Sequence, residues 1–305
     1  MSQHYDPEFE KNIVRTGMSK FKVIEWNINQ RVNSAKRDMP DWIADVIHEE
    51  QADIIALTEV YKVNNWNDIK KKLFDIKVKA SENKYMVFET DNYPLGQNDI
   101  CVAVNTEKFS VVKAELYPSN PDKNIPDNLA VEIKSKKSGK VLVIACMRIH
   151  SLDLVSDDIK IKELKFILDQ YSKADNVIIC GDFNNYRRGV NNRLWCLKEL
   201  EKSCNKNGFR VITPKGSSIY EDEGNNVDYE FPEDHFLLKC KNKDIVLSKG
   251  SEKYNRDFVD KNRAVYRFGK DFQKNLGKDA NGNYMYEHIN PPFPDHAILE
   301  GEFEI

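Results

Sequence analysis

Residues 176–184 read Asn-Val-Ile-Ile-Cys-Gly-Asp-Phe-Asn, an apolar run that ends in a carboxylate and an amide. The four apolar residues predict a short strand buried on both faces, and Gly181 frees the backbone to turn where that strand ends. Because residues two apart in a strand face the same side, we expect Asp182 and Asn184 to share one small volume while Phe183 packs the other way. The stretch predicts a polar reaction centre at a strand end. The alternative is an ordinary turn, since Asp and Asn favour turns.

The composition predicts a soluble globular protein. Its 305 residues, 40% hydrophobic and 31% charged, fit one large α/β domain. No apolar run approaches the roughly 18 to 20 residues of a membrane helix, and the amino terminus lacks the pattern of a secretory signal, so we expect a cytoplasmic protein. The six cysteines lack the paired spacing of zinc sites or disulfide frameworks and are interpreted as buried thiols. A net charge of −3 gives no overall attraction to nucleic acid, so a phosphate-bearing substrate needs a local basic face or a metal ion.

Working outward from this stretch, apolar periodicity predicts the remaining elements. Helices are expected around Trp42 to Ile47, near 66–75, after a Ser156 cap, and near 192–207. Strands are expected at 21–29, 53–57, 85–89, 100–104, 110–116, 129–134, 141–149, 236–238, 244–247 and 297–305.

Several of these strands end in polar side chains. One Glu or His at a strand end is usually an ordinary surface residue, but repetition at several strand ends indicates a shared site. The polar residues at predicted strand ends are Asn27, Asn29, Glu59, His150, Asp182, Asn184, Asp295 and His296.

Six short motifs occur in order along residues 20–305, and together they resemble the endonuclease/exonuclease/phosphatase superfamily, in its deoxyribonuclease-I-like form. The motifs are Trp26-Asn27-Ile28-Asn29, Leu57-Thr58-Glu59, Ile149-His150-Ser151, Gly181-Asp182-Phe183-Asn184, Glu233-Asp234-His235-Phe236-Leu237-Leu238 and Pro294-Asp295-His296.

This resemblance implies an α/β fold, a four-layer sandwich of two mostly antiparallel β-sheets flanked by helices. We expect a polar lead-in at residues 1–19, then a single catalytic domain at 20–305 that carries a basic, aromatic insert at about 251–290. The resemblance also implies hydrolysis of a phosphoester with a divalent metal, Mg²⁺ or alternatively Mn²⁺. Such hard cations prefer oxygen ligands.

The resemblance assigns a role to each matching residue. Glu59 is the expected metal carboxylate, with Asn27 and Asp295 near the metal. Asp182 is expected to orient or deprotonate the attacking water, and Asn184 to hold the scissile phosphate.

The two histidines are assigned to proton transfer and charge stabilisation, because histidine titrates near neutral pH. His296 is expected to contact the phosphate or act as a base, with Asp234 fixing its ring. His150 is expected opposite it, where it stabilises charge or protonates the leaving oxygen. Asn29, Tyr186 and Arg187 are candidate substrate contacts.

Three functions stay open at this point. The first is a DNA nuclease, with RNA less favoured, because His150-Ser151 follows the deoxyribonuclease-like pattern and the insert can grip a backbone. The second is an inositol phosphate or phosphoinositide phosphatase, although Asn185 interrupts the expected run into Tyr186 and Arg187 and a Trp-Cys-Asp-Arg signature is missing. The third is an inactive binding module. The expected partner is nucleic acid, with no obligate protein partner evident.

Overall fold

A computed structural model describes residues 17–28, 39, 41–60, 65–90, 99–117, 128–150, 156–185, 195–216, 218, 232–255, 257–259, 265–267, 273–278, 280–281, 284–288 and 296–305. Four of the predicted site residues, Asn29, Tyr186, Arg187 and Asp295, lie outside these ranges.

Nineteen strands and four longer helices make up the described structure. The helices are α1 (Asp41–Glu49), α2 (Trp66–Phe74), α3 (Asp157–Gln170) and α4 (Leu197–Lys206). The strands are β1 (Lys20–Asn27), β2 (Ile54–Val60), β3 (Lys77–Lys79), β4 (Glu82–Asn83), β5 (Tyr85–Glu89), β6 (Asp99–Asn105), β7 (Phe109–Tyr117), β8 (Asn128–Ser135), β9 (Val141–Arg148), β10 (Asn176–Asp182), β11 (Arg210–Ile212), β12 (Asp234–Cys240), β13 (Val246–Leu247), β14 (Lys253–Asn255), β15 (Asp257–Val259), β16 (Val265–Arg267), β17 (Gln273–Lys278), β18 (Tyr284–His288) and β19 (Ile298–Glu304).

The strands form two large sheets of similar topology. The first has the order β13-β19-β1-β2-β6-β5, with β14 also paired to β19. The second has the order β11-β12-β10-β9-β8-β7. Each sheet contains one parallel pair, β1 with β2 in the first and β9 with β10 in the second, and its other pairs are antiparallel.

Alternation along the strands divides the core into three apolar layers, because successive side chains point to opposite faces of a sheet. Val23 of β1 and Ile178 of β10 belong to one cluster that fills the space between the sheets. Ile24 packs with α1 and α2 on the outside of the first sheet, and Ile179 packs with α3 and α4 on the outside of the second. The expected four-layer sandwich of two mostly antiparallel sheets is therefore confirmed.

Some local expectations need correction. Gly181 lies inside β10 rather than after it, with φ of 152°, and a Cβ at this position would collide with the backbone carbonyl oxygen of Met147 on β9. The close approach of β9 and the positive φ together explain this glycine, whereas the turn falls at Asn184, whose φ is 44°. Ser156 precedes α3 but makes no side-chain capping hydrogen bond. The predicted strand at 244–247 shortens to Val246–Leu247.

The region expected as an insert begins as part of the main fold. β14 pairs with β19, and the chain then forms a separate antiparallel sheet of order β15-β16-β17-β18 before returning to His296. Strand β15 lies against α1. The proposed division into lead-in, domain and insert stays a prediction.

All six cysteines are free thiols, and Cys196 and Cys240 are only partly buried. Within the ranges given above, no helix is both long and apolar enough to cross a membrane.

Candidate active site

The apolar layer between the sheets becomes polar at one end. Along β10, Ile178 and Cys180 belong to that layer, and Asp182 continues the same inner-facing row. Asn27 ends the corresponding row on β1 of the opposite sheet. The amide Nδ2 of Asn27 donates to Asp182 Oδ2 at 3.0 Å, so the two sheets contact each other through polar groups at this end.

Asp182 lies at the centre of this polar group. Its Oδ1 accepts from the backbone N–H of Asn184 at 2.8 Å, and its Oδ2 accepts from Asn184 Nδ2 at 2.8 Å. The pKa of Asp182 is raised to about 6, mainly by burial and also by the neighbouring Asp234 and Glu59 carboxylates, whereas His296 and Arg148 oppose the rise. The structure thus holds a buried carboxylate between donors from both sheets.

Asn184 uses its amide to support Asp182. Besides its bond to that carboxylate, Nδ2 donates to the backbone oxygen of Ile149 at 2.9 Å. These two acceptors engage both hydrogens of the amide. In this conformation Asn184 ties the end of β10 to the end of β9, and its assignment as a phosphate holder stays a prediction.

Glu59 reaches the site through an irregular backbone. The pairing of β2 with β6 shifts register between Leu57 and Val60, and Glu59 adopts a φ of 50°. A bulge re-aims a side chain, and a non-glycine residue in the left-handed region is typical of functional sites. The local distortion brings Glu59, which is only 5% exposed, to the polar end of the sandwich.

Arg148 joins two of the predicted carboxylates and was missed by the sequence interpretation. Its Nη2 lies 2.6 Å from Glu59 Oε1, and its Nε lies 3.5 Å from Asp182 Oδ2. A signal was present, because Arg148 continues the inner-facing row of Ile144 and Cys146 on β9.

His296 and Asp234 form a buried pair in which Nδ1 lies 2.8 Å from Asp234 Oδ2. Ser218 holds both strand ends: its Oγ accepts from the backbone N–H of Asp234 at 3.1 Å, and its carbonyl oxygen accepts from Ala297 N at 2.6 Å. Trp26 Nε1 donates to the backbone oxygen of His296 at 2.8 Å. No local motif marks Ser218, because its role depends on contacts between distant segments.

His150 has a carboxylate partner of its own. Its Nδ1 lies 2.5 Å from Glu163 Oε1, and its backbone N–H donates to Glu163 Oε2 at 3.3 Å. Glu163 is buried in α3, outside every recognised motif. The structure therefore contains two carboxylate–histidine pairs, each with its acid supplied by a different element.

Another polar pair beside these residues supports the fold. Asn185 Oδ1 lies 2.8 Å from His235 Nε2, and Asn185 Nδ2 donates to Pro232 O at 3.0 Å. Burial lowers the pKa of His235 to about 4, so its ring is neutral near pH 7. The residue that interrupts the expected run into Tyr186 is therefore a buried structural side chain.

Glu25 lies in the same inner-facing row as Asn27, two residues earlier. It is fully buried and accepts a hydrogen bond from Thr58 Oγ1 at 3.1 Å. Burial, and to a smaller extent the nearby Asp234, raises its pKa well above the usual range. Glu25 is therefore a buried residue beneath the polar site. The sequence analysis did not identify it as a site residue.

The side chains predicted to hold the metal within the described ranges, Glu59 and Asn27, carry oxygen atoms of the kind that a hard divalent cation binds. A carboxylate and an amide supply oxygen ligands, and Mg²⁺ commonly binds through one or two carboxylates while keeping several waters. Among the residues that the structure describes, no group of three or more His, Cys, Asp or Glu side chains is arranged to hold a metal ion. Asp295, the other predicted carboxylate, lies outside them.

The class that the sequence comparison gives, the phosphoester hydrolases, agrees with the two-sheet sandwich described above. Residues 24–239 match the sequence profile of the Endonuclease/Exonuclease/phosphatase family, and the chain belongs to that family. Enzymes of this family generally use divalent metals. No curated protein matches the sequence.

Solved structures share the fold at low sequence identity. An endonuclease/exonuclease/phosphatase family protein from Bacteroides thetaiotaomicron has a TM-score of 0.62 at 12% identity, covering 94% of this chain and 98% of its own. A mannosyl-6-phosphatase from the same species has a TM-score of 0.59 at 13% identity, and the match covers 93% of this chain and 99% of that protein's chain. D. rerio TDP2 complexed with a single-strand DNA product has a TM-score of 0.55 at 14% identity, covering 93% and 99%.

Proposed function

We propose that this protein is a divalent-metal-dependent phosphodiesterase that hydrolyses DNA, with Mg²⁺ as the metal and Mn²⁺ as a substitute. The observation that supports the proposal is that Asp182 lies near Glu59, Arg148 and the pair Asp234–His296 at one end of the sandwich; the pair Glu163–His150 follows the end of β9. Phosphoester hydrolysis needs an oriented water, a proton acceptor and charge stabilisation, and these residue types supply all three.

Glu59 and Asn27, together with Asp295, are the residues proposed to hold the metal. When bound, a divalent ion supplies neutralisation of the charge that develops on the phosphate. Asp182 orients the attacking water, and the amides of Asn27 and Asn184 keep this carboxylate in place.

The paired histidines handle protons and charge at the phosphate. Asp234 accepts from His296 Nδ1–H, which fixes the ring and places the lone pair of the neutral imidazole on Nε2. The carboxylate of Glu163, 2.5 Å from His150 Nδ1, is proposed to position that ring, so that His150 can stabilise charge or protonate the leaving oxygen.

DNA is the proposed substrate because of two supporting observations. The deoxyribonuclease-like His150-Ser151 motif remains, and D. rerio TDP2, a protein of the same fold, forms a complex with a single-strand DNA product. The basic insert is proposed to hold the phosphate backbone. Charge reversal at Arg263, Arg267 and Lys270 is then expected to weaken DNA cleavage and reduce its salt dependence.

A phosphomonoesterase acting on an inositol phosphate or phosphoinositide is the second candidate. The observation that favours it is the shared fold of a mannosyl-6-phosphatase, which acts on a sugar phosphate by its name. Against it, Asn185 points into the protein to His235 and Pro232 rather than toward a ligand. An inactive binding module is the third, and the retained acids and histidines argue against it.

A substrate panel tests the proposal. Purified protein is incubated with supercoiled plasmid, single-stranded DNA, RNA and inositol phosphates, in Mg²⁺, Mn²⁺ or excess chelator. We expect metal-dependent DNA cleavage that is lost in Asp182→Ala and His296→Ala but kept in Asp175→Ala, a change at an exposed carboxylate.

The possible results separate the candidates. Metal-independent cleavage, or undiminished activity in both site variants, contradicts the mechanism. Phosphate release from inositol phosphates without DNA cleavage selects the second candidate. No turnover of any substrate by folded protein favours the binding module.

A further inference from the structure

The guanidinium of Arg148 lies between two buried carboxylates that come from different sheets. Glu59 belongs to β2 of the first sheet, and Asp182 belongs to β10 of the second. Arg148 ends β9, where its Cα is the register partner of Asp182. Its side chain is 14% exposed, whereas those of Glu59 and Asp182 are 6% and 2% exposed. One permanent cation thus bridges the sheets inside the site.

Electrostatics favours a positive charge at this place. Two ionised carboxylates in a poorly hydrated site repel each other, so either a cation lies near both of them or one takes up a proton. Arginine is suited to this position because its guanidinium stays charged and presents several donors in one plane. A divalent metal ion is the other group that commonly neutralises paired carboxylates in phosphoester hydrolases.

From this geometry we propose that Arg148 takes the place of a second metal ion between Glu59 and Asp182, so that the site binds a single divalent cation. This inference rests on the proposed metal dependence. Arg148 is a positioning residue here: its fixed charge holds Glu59 and Asp182 in a constant relation and repels any further cation from the space between them. The remaining oxygen donors, on Glu59 and Asn27, are left for the one ion.

The number of bound ions tests the inference without any measurement of catalysis. Titration of the full chain with Mn²⁺, followed by the electron paramagnetic resonance signal of free Mn²⁺, gives stoichiometry and affinity. We expect one ion per chain for the wild type and for Arg148→Lys, which keeps the charge. Arg148→Met removes the charge and is expected to bind a second ion, or to bind the first at least about tenfold more tightly.

Two further variants make the comparison secure. Arg148→Gln removes the charge but keeps a hydrogen-bond donor toward the carboxylates, and it carries the test where Arg148→Met does not fold. Arg210→Met removes the same charge from an exposed position on β11 and is expected to behave as the wild type does.

The results distinguish this inference from the proposed function. If Arg148→Met and Arg148→Gln both bind one ion with unchanged affinity, the proposed role of Arg148 is wrong, but metal-dependent hydrolysis is not contradicted. Binding of two ions by the wild type leads to the same conclusion. Failure of the wild type to bind Mn²⁺, together with chelator-resistant cleavage, overturns both.

Discussion

His296 Nδ1 lies 2.8 Å from Asp234 Oδ2, although the two residues are 62 positions apart in the chain. Asp234 is the first residue of β12, and His296 lies two residues before the start of β19 in the opposite sheet. The pair therefore joins the two sheets at the same end as the contact between Asn27 and Asp182.

Replacing Asp234 by Asn is expected to lower kcat by roughly 100-fold or more while changing KM little, because the ring of His296 loses the charged acceptor that orients it. Steady-state kinetics on the cleaved substrate measures the effect, with circular dichroism to verify folding. Asp244→Asn, at a partly exposed ion pair with Lys140, is the matched control. A kcat equal to that of the wild type would show that the buried pair has no part in the reaction.

Glu163→Gln is expected to reduce kcat by about 10-fold to 100-fold, since a neutral amide holds the imidazole of His150 less firmly than a carboxylate does. The pH dependence of kcat in Glu163→Gln is expected to differ from that in the wild type. A purely structural role of Glu163 would not produce such a difference. Glu199→Gln, at a surface ion pair in α4, serves as the control. Wild-type kinetics across the pH range would refute a role for Glu163.

His235 is expected to make stability depend on pH. Its pKa is lowered to about 4 in the folded protein, mainly by burial, from 6.5. Between these pH values the unfolded chain therefore binds more protons at His235 than the folded protein does. The free energy of unfolding is undiminished by this residue above about pH 6.5 and decreases as the pH falls toward 4. The shift corresponds to on the order of 3 kcal/mol in the free energy of unfolding.

Urea unfolding between pH 4.5 and 7.5 measures this dependence. His235→Gln is expected to flatten the profile, whereas His48→Gln, at the exposed last turn of α1, is expected to leave it unchanged. Parallel profiles for the wild type and His235→Gln would mean that other groups produce the slope.

Gly181→Ala is expected to lower the free energy of unfolding by about 2 to 4 kcal/mol and to displace Asp182, because the added methyl group meets the backbone oxygen of Met147. Gly139 has a φ of 72°, and no atom lies within contact distance of a methyl group added there. Gly139→Ala is therefore expected to lower the free energy of unfolding by only about 1 kcal/mol. Denaturant unfolding and activity are measured on both. Equal losses of stability would indicate that backbone conformation, rather than the close approach of β9, explains Gly181.

The sequence by itself determined the order of the main strands of the two large sheets and the polar residues that follow them, but not the short strands β3, β4 and β11 or the strands β14 to β18. The predicted strand at 85–89 is β5; the strand that ends at Asn27 was expected from alternation, and the one that ends at Asp182 from a continuous apolar run. Both predictions succeed because apolar patterning and the alternation of side chains along a strand are local properties of the sequence.

Only the tertiary structure decided which groups meet at the polar end. Arg148 between Glu59 and Asp182, Glu163 beside His150, and Ser218 beneath Asp234 each contact residues remote in sequence. Contacts with His235 and Pro232 likewise turn the side chain of Asn185 inward. Local periodicity fixes the face on which a side chain lies, but its partner depends on how sheets and helices pack, and packing is a property of the whole fold.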